Sequence, residues 1–246
     1  MVRQTEPTAE GRGPGPSTAT RRALERTRHP RGGIPFQRRY LTALQLLGFR
    51  VSAWDEPFWV NENRWARRFN EPFMGPVQYW SLHPLTPWAE ILRAQGINSP
   101  EEVAEVRQRL WVARFEMDAD RVTFDTAASF GLEPEQLISD DYGACQRLGE
   151  QRLDLELPNA ITVPSAALPG TENLVVFGPL VRSPYAAEPL SPDDVPVSVA
   201  ADHARPPETL LPLVRHHGDP HDEYVAWNSG ESFRFREPRV DRLGLA

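Results

Sequence analysis

The chain has 246 residues, of which 40% are hydrophobic and 25% are charged, and its formal net charge is −7. These values fit one globular domain with a hydrophobic core and irregular flanks. No apolar run approaches the roughly 20 residues of a membrane-spanning helix, and the single cysteine excludes an intramolecular disulfide framework. We therefore expect a cytoplasmic protein without a membrane segment.

Charge is distributed unevenly along the chain. Residues 1–40 carry nine Arg and three Glu, a balance of +6, whereas the remainder carries 18 Arg and 31 acidic residues, a balance of −13. A basic arm could contact nucleic acid or an acidic partner, but the Gly, Pro and Arg content of residues 1–33 favours a disordered tail. The acidic body argues against nucleic-acid binding, which needs a concentrated basic surface.

Short helices and strands are predicted in the first half of the body. Apolar residues at helical spacing, followed by Gly48, indicate a first helix. Thr86 and Pro87 are typical of an N-cap and first helical turn, and Ser99 opens a capping box. The patterns predict a helix over 39–47, strands over 49–54 and 77–82, and helices over 86–96 and 99–108.

The second half continues the mixture and then changes character. Prolines are frequent over 183–212, which predicts an extended segment or linker, and Asn228-Ser229-Gly230 suggests a terminal hairpin over 223–236. We expect an α+β fold with mixed or antiparallel sheets and short helices, a folded domain over 34–182 and a Pro-rich extension over 183–246. The remaining predicted elements are strands over 110–117 and 120–124, a helix over 140–153, and strands over 160–164 and 173–177.

Arg50 stands inside the strand-like run Phe49-Arg50-Val51-Ser52. Because burial of an unpaired guanidinium is costly, this residue needs a partner. A diphosphate suits its planar fork, and an ion pair with Asp55 or Glu56 is the structural alternative.

Three further side chains lie where a strand ends or a helix begins. Tyr79 is on the predicted strand before the helix that carries Glu90, so a ring and a carboxylate could converge there. Ser165 closes a strand after Pro164 and presents a hydroxyl at a sheet edge. Taken singly, Tyr79 suits core packing, Glu90 suits a solvated pair with Arg93, and Ser165 suits an ordinary turn.

Taken together and in this order, these motifs resemble those of the RES-domain family, which is named for its Arg, Glu and Ser. The resemblance covers roughly residues 48–180, and four weak motifs in order are moderately specific. The first motif is a strand with Arg50, and the second is Arg68-Phe69-Asn70. The third is the strand of Tyr79 followed by the helix of Glu90, and the fourth contains Ser165.

The resemblance implies a fold like that of ADP-ribosyltransferase toxins and degradation of NAD by phosphorolysis or hydrolysis of its nicotinamide–ribose bond. It also implies that the protein could be a toxin neutralised by a helix-turn-helix antitoxin. Arg67 departs from the pattern, because the family usually has Gly at that position. Because Arg67 replaces a Gly, the backbone beside Arg68 and the role of Arg68 can differ from those in the family.

The resemblance also implies a role for each site residue. Glu90 would stabilise the oxocarbenium-like ribose and orient the attacking phosphate or water, and Ser165 would fix the ribose or a phosphate oxygen. Arg50 and Arg68 would hold the NAD phosphates, and Tyr79 would position the nicotinamide. The implied catalytic set is Glu90, Arg50 and Ser165, and the NAD-binding set is Arg50, Arg68, Asn70, Tyr79 and Ser165.

The chemistry also follows from the residue types. A cationic pyridinium departs as a neutral molecule, so one carboxylate near the developing positive charge suffices and no strong general acid is needed. We expect no cofactor, with NAD as substrate and phosphate as a possible co-substrate. We also expect no metal, because the His-rich segment 216–223 has turn composition. The alternatives are an ADP-ribosyltransferase acting on a macromolecule and a catalytically silent interaction module.

Overall fold

Seven strands join in one sheet in the part of the chain that our computed structural model describes, which is residues 45–52, 58, 63–155, 159–178 and 198–238. Four α-helices and three short 3-10 helices accompany them within these ranges. The strands are β1 (Gln45–Ser52), β2 (Val77–Ser81), β3 (Gln108–Glu116), β4 (Ala119–Arg121), β5 (Asn159–Pro164), β6 (Glu172–Phe177) and β7 (Ser198–Ala204). The α-helices are α1 (Thr86–Gln95), α2 (Pro100–Glu105), α3 (Gly143–Leu153) and α4 (Asp222–Asn228), and the 3-10 helices are Ala127–Phe130, Pro134–Leu137 and Glu208–Leu213.

The strand order in the sheet is β4-β5-β6-β2-β1-β3-β7. Neighbouring strands are antiparallel except β4 and β5, which run parallel. Short helices surround a mixed, mainly antiparallel sheet, so the predicted α+β class is confirmed. None of the helices in the described ranges is long and apolar enough to cross a membrane.

The contact between β1 and β2 is much shorter than its neighbours. These strands pair only at Phe49 and Ser81, whereas β1 pairs with β3 along its whole length and β2 pairs with β6 from Val77 to Ser81. The sheet therefore consists of two half-sheets, β4-β5-β6-β2 and β1-β3-β7. We call the single pairing between Phe49 and Ser81 the junction.

Helix α1 lies on one face of the sheet and carries Glu90 and Arg93. Pro87 stands in its first turn, and Gly96 ends it with a left-handed backbone, φ 66°. Trp88 and Leu92 are fully buried in a cluster that includes Leu168. Burial of these apolar side chains fixes the helix against the segment that follows β5.

Two local predictions in the first half were wrong. The predicted helix 39–47 overlaps β1, which begins at Gln45, and residues 39–44 lie outside the described ranges. Long pairing with β3 outweighs the helical spacing there. The N-cap of α1 is Leu85, and the Thr86 hydroxyl donates to Thr171 Oγ1 instead of capping the helix.

The C-terminal hairpin prediction was also wrong. Helix α4 occupies its first half, begins with the His221 side chain accepting from Tyr224 N, and is followed by Gly230 with φ 74°. Tyr224 and Trp227 lie on the same face of this helix and pack against Phe124, so helical burial prevails over the turn preference of Asn-Ser-Gly.

Strand β7 also departs from the predicted extended segment over 183–212. It pairs with β3 and extends the sheet by one strand. Residues 183–197 of that segment lie outside the described ranges. Residues 198–204 of the predicted extension therefore belong to the same sheet as β1 and β3.

Candidate functional site

Glu90 is held by two hydrogen bonds that meet at one oxygen. Ser165 Oγ donates to Glu90 Oε1 over 2.9 Å, and Asn173 Nδ2 donates to the same oxygen over 2.9 Å. From the described residues no hydrogen bond reaches Oε2. Glu90 is half-buried, and both of its described hydrogen bonds reach the same carboxylate oxygen.

Ser165 is fully buried immediately after β5, and its hydroxyl has a defined orientation. Its Oγ accepts from Ala167 N over 3.2 Å and from Leu168 N over 3.1 Å. These donors occupy the oxygen lone pairs, so the single hydroxyl proton is directed to Glu90. Glu90 and Ser165, two members of the implied catalytic set, are therefore in direct contact.

Asn173 and Ser81 complete this arrangement and were missed by the sequence reasoning. Ser81 Oγ donates to Asn173 Oδ1 over 2.7 Å, and the two residues are direct partners in the β2–β6 register. A polar residue at the end of β2 and another near the start of β6 were the available signal. Without the register of the two strands, that signal could not join them to Glu90.

Arg93 fixes the far side of α1, and it too was missed as a site residue. Its Nη1 donates to Ala166 O over 2.8 Å and to Arg215 O over 3.2 Å. Its Nη2 pairs with the Asp140 carboxylate, so the alternative pairing with Glu90 is not formed. Arg93 therefore ties the helix of Glu90 to the residue that follows Ser165.

The Asp140 carboxylate is stabilised in its charged form. Burial opposes this charge, but the Gly218 N–H and the Arg93 guanidinium together hold the pKa of Asp140 below its usual range, with help from His217 and Arg215. The charged pair thus joins α1, the turn after β5 and the segment before α4.

Arg50 lies at the junction but on the other face of the sheet. Its strand neighbours Phe49 and Val51 pack with the cluster around α1, and successive side chains of a strand point to opposite faces. Its Cζ is 5.8 Å from the centroid of the Trp80 ring. The structure thus brings Glu90 and Ser165 into contact and places Arg50 beside the junction on the opposite face.

The electrostatic setting of Arg50 is unusual for a guanidinium. Burial, followed by the nearby positive charge of Arg67, lowers the pKa of Arg50 to about 10. The charge of Arg67 also lowers the pKa of Tyr79, against the larger opposing effect of burial. The Arg50 guanidinium is therefore a buried cation with a second positive charge in its neighbourhood.

Tyr79 and Asn70 form a second polar cluster. Tyr79 Oη donates to Asn70 Oδ1 over 2.8 Å and accepts from Phe69 N over 3.0 Å. The Asn70 amide donates to Trp65 O and Glu71 O. Burial raises the pKa of Tyr79, so this hydroxyl stays neutral and holds the loop before β2.

Arg68 makes its described contacts on the outer side of that loop. Its Nη1 donates to Ser139 O over 2.6 Å, and its Cζ lies 4.7 Å from the Tyr142 ring centroid. The predicted roles of Arg68, Asn70 and Tyr79 toward NAD stay predictions, because their described contacts are with the protein itself.

One family model matches more than half of this chain. The model of the RES domain matches residues 49–200. A curated relative, a probable NAD(+) phosphorylase from Mycobacterium tuberculosis, is 30% identical over 145 residues, which are 57% of this chain. The match spans 63% of the length of that relative.

A solved structure is also similar to this chain. It is the M. tuberculosis MbcT–MbcA toxin–antitoxin complex, one chain of which matches with a TM-score of 0.47 and 23% sequence identity. The match covers 55% of this chain and 75% of that chain.

Proposed function

The chain belongs to the RES-domain family, and we propose that it cleaves the bond between nicotinamide and ribose in NAD. The observation that carries the proposal is the half-buried Glu90 carboxylate, whose Oε1 is held by both Ser165 and Asn173. A preorganised carboxylate of this kind stabilises positive charge without having to reorganise during the reaction.

The arrangement suits the departure of a neutral leaving group. The pyridinium nitrogen of NAD takes the electrons of the glycosidic bond, so nicotinamide leaves uncharged and positive charge develops on the ribose. Glu90 would stabilise that charge and orient the incoming nucleophile through the ribose hydroxyls. Ser165, whose proton is engaged with Glu90, would keep the carboxylate in position.

Arg50 would bind the diphosphate of NAD from the junction. The positive charge of Arg67 lowers the pKa of Arg50, which shows that the two guanidinium groups repel each other. A doubly charged anion bound between them would relieve that repulsion. The diphosphate and the reacting ribose are separated along the NAD molecule. Because Arg50 and Glu90 lie on opposite faces of the sheet, one bound dinucleotide would reach both only by passing between the two half-sheets beside the junction.

Phosphate is the proposed nucleophile, with water as the alternative. The name of the M. tuberculosis relative supports phosphorolysis. Attack of phosphate on the ribose carbon gives nicotinamide and ADP-ribose carrying a phosphate at that carbon, whereas attack of water gives nicotinamide and ADP-ribose. A helix-turn-helix antitoxin that blocks entry of NAD is the proposed protein partner, on the basis of the family resemblance.

Chromatography of the products tests the proposal. Purified protein is incubated with NAD, with and without inorganic phosphate, and the nicotinamide and ribose products are quantified by mass. We expect nicotinamide release that increases with phosphate, together with the phosphorylated ADP-ribose. Intact NAD beside folded protein at high concentration would overturn the proposal, and ADP-ribose bound to an added protein mixture would favour the transferase alternative.

A further inference from the structure

We propose that Ser81 is a positioning residue for Glu90 and that it acts through the Asn173 amide. The inference rests on the proposed function for its kinetic test, although the geometry stands by itself. Ser81 Oγ is 2.7 Å from Asn173 Oδ1, and Asn173 Nδ2 is 2.9 Å from Glu90 Oε1. The three side chains thus form a relay from β2 through β6 to α1.

The relay defines which end of the Asn173 amide faces Glu90. An amide presents an acceptor at one end and two donors at the other, and only the donor end is attractive to a carboxylate. The Ser81 hydroxyl donates to the oxygen and thereby stabilises this orientation. Ser81 is buried with 4% exposure, so bulk water does not readily replace its hydroxyl.

Loss of the Ser81 hydroxyl would change the environment of Glu90 without touching it. Asn173 Oδ1 would lose its donor, and rotation of the amide would turn an acceptor toward the carboxylate. Repulsion between the two oxygens would then move Glu90 away from the orientation that Ser165 also maintains. The effect would fall on the reacting geometry rather than on the overall binding of substrate.

Ser81 also occupies the β2 side of the junction. Its backbone partner is Phe49, which directly precedes Arg50 in β1. The relay therefore connects the strand of the proposed diphosphate-binding arginine to the proposed reaction centre. A displacement of one half-sheet at the junction would reach Glu90 through Ser81 and Asn173.

Kinetics of three variants test this role. We expect Ser81→Ala to lower kcat about tenfold with KM changed less than about twofold, the range that loss of one hydrogen bond supports. Ser81→Thr, which retains a hydroxyl, should recover most of kcat. The matched control is Thr86→Val, which removes the hydrogen bond of another buried hydroxyl, on the helix of Glu90 itself, and should leave kcat within about twofold.

A double-mutant cycle separates action through Asn173 from a general loss of stability. We expect Ser81→Ala combined with Asn173→Ala to be no slower than Asn173→Ala alone, because the relay is already broken. Additive losses, or a kcat of Ser81→Ala equal to that of the parent protein, would overturn the inference.

The side-chain amide of Asn173 provides a measurement that needs no activity. In ¹H–¹⁵N spectra of the full chain, its NH₂ protons should exchange slowly with water and should become faster in Ser81→Ala. Unchanged exchange would contradict the relay, even if the parent protein cleaves NAD. Slow exchange that depends on Ser81, in a protein that leaves NAD intact, would retain the relay and refute the proposed function instead.

Discussion

The Ser165 hydroxyl donates to Glu90 Oε1 over 2.9 Å, although the two residues are 75 positions apart in the chain. The same hydroxyl accepts from the backbone N–H groups of Ala167 and Leu168. Ser165 therefore organises the turn after β5 and the carboxylate on α1 with a single oxygen atom.

Because one hydroxyl makes both sets of hydrogen bonds, Ser165→Ala should lower both the stability of the protein and its kcat, by separate causes. Two buried N–H groups lose their acceptor, which should lower the free energy of unfolding by about 1–3 kcal/mol. Glu90 loses one of its two donors, which should lower kcat for nicotinamide release by about 10–100-fold. Urea unfolding and steady-state kinetics measure the two effects, and a stable variant with full kcat would show that Ser165 is not needed by Glu90.

The buried Arg93 should contribute strongly to stability. Its side chain is 4% exposed and its partner Asp140 is 36% exposed, so removal of the cation leaves a partly solvated carboxylate. We expect Arg93→Met to lower the free energy of unfolding by about 2–3 kcal/mol, below the range for a fully buried pair. The control is Arg121→Met, which breaks a pair with Glu172 whose arginine is 66% exposed.

That control should cost less than about 1 kcal/mol, because exposed pairs are weak. Equal losses of unfolding free energy in the two variants would contradict the structural importance of Arg93. Urea titrations of both variants at one pH and salt concentration make the comparison.

His221 predicts a dependence of stability on pH. Burial lowers the pKa of His221 to about 4 from an ordinary value of 6.5, although its hydrogen bond to the Ser165 carbonyl opposes the change. The unfolded chain therefore binds the proton more tightly than the folded chain. Stability from neutral His221 is complete above about pH 6.5 and is lost as the pH falls toward about 4.

The His221→Asn variant isolates this contribution. Asn retains a helix-capping oxygen for α4 but does not titrate. Between about pH 7.5 and pH 5, the parent protein should lose about 1–2 kcal/mol more unfolding free energy than the variant. Parallel pH profiles for the two proteins would show that His221 is not held in its neutral form.

Gly149 should be required by the loop that carries Asn70. A Cβ at Gly149 in α3 would overlap the carbonyl oxygen of Phe69, and Asn70 bonds to Tyr79. We expect Gly149→Ala to lower the free energy of unfolding by about 3 kcal/mol. Gly143→Ala, whose Cβ would be 3.4 Å or more from its nearest neighbour, is the control in the same helix.

The control should change stability by less than about 1 kcal/mol, because Ala is the better helix former. Thermal unfolding of both variants is the measurement. A Gly149→Ala protein as stable as Gly143→Ala would mean that the loop before β2 moves freely away from α3.

Local patterns predicted the parts of the fold that depend on neighbouring residues. The capping box at Ser99 is formed, with Glu102 N donating to Ser99 Oγ, and Gly96 ends α1. These features follow from the energetics of a single turn of chain.

Long-range features could not be predicted in this way. Asn173 reaches Glu90 only through the pairing of β6 with β2, and Arg93 meets Asp140 47 residues away. The face of the sheet on which the Arg50 side chain lies depends on the register of β1 with β2 and β3. Such contacts require the register of strands and the packing of helices, which one sequence does not encode in its short-range pattern.

The initial rate of nicotinamide release from NAD by the parent protein and by Glu90→Gln tests the central claim most directly. Gln retains an oxygen that accepts from Ser165 and Asn173, so the fold should persist, as circular dichroism and thermal unfolding would show. The variant loses the negative charge that faces the ribose, and its rate should fall by at least about 100-fold. A folded Glu90→Gln protein that releases nicotinamide at nearly the parent rate would contradict the account.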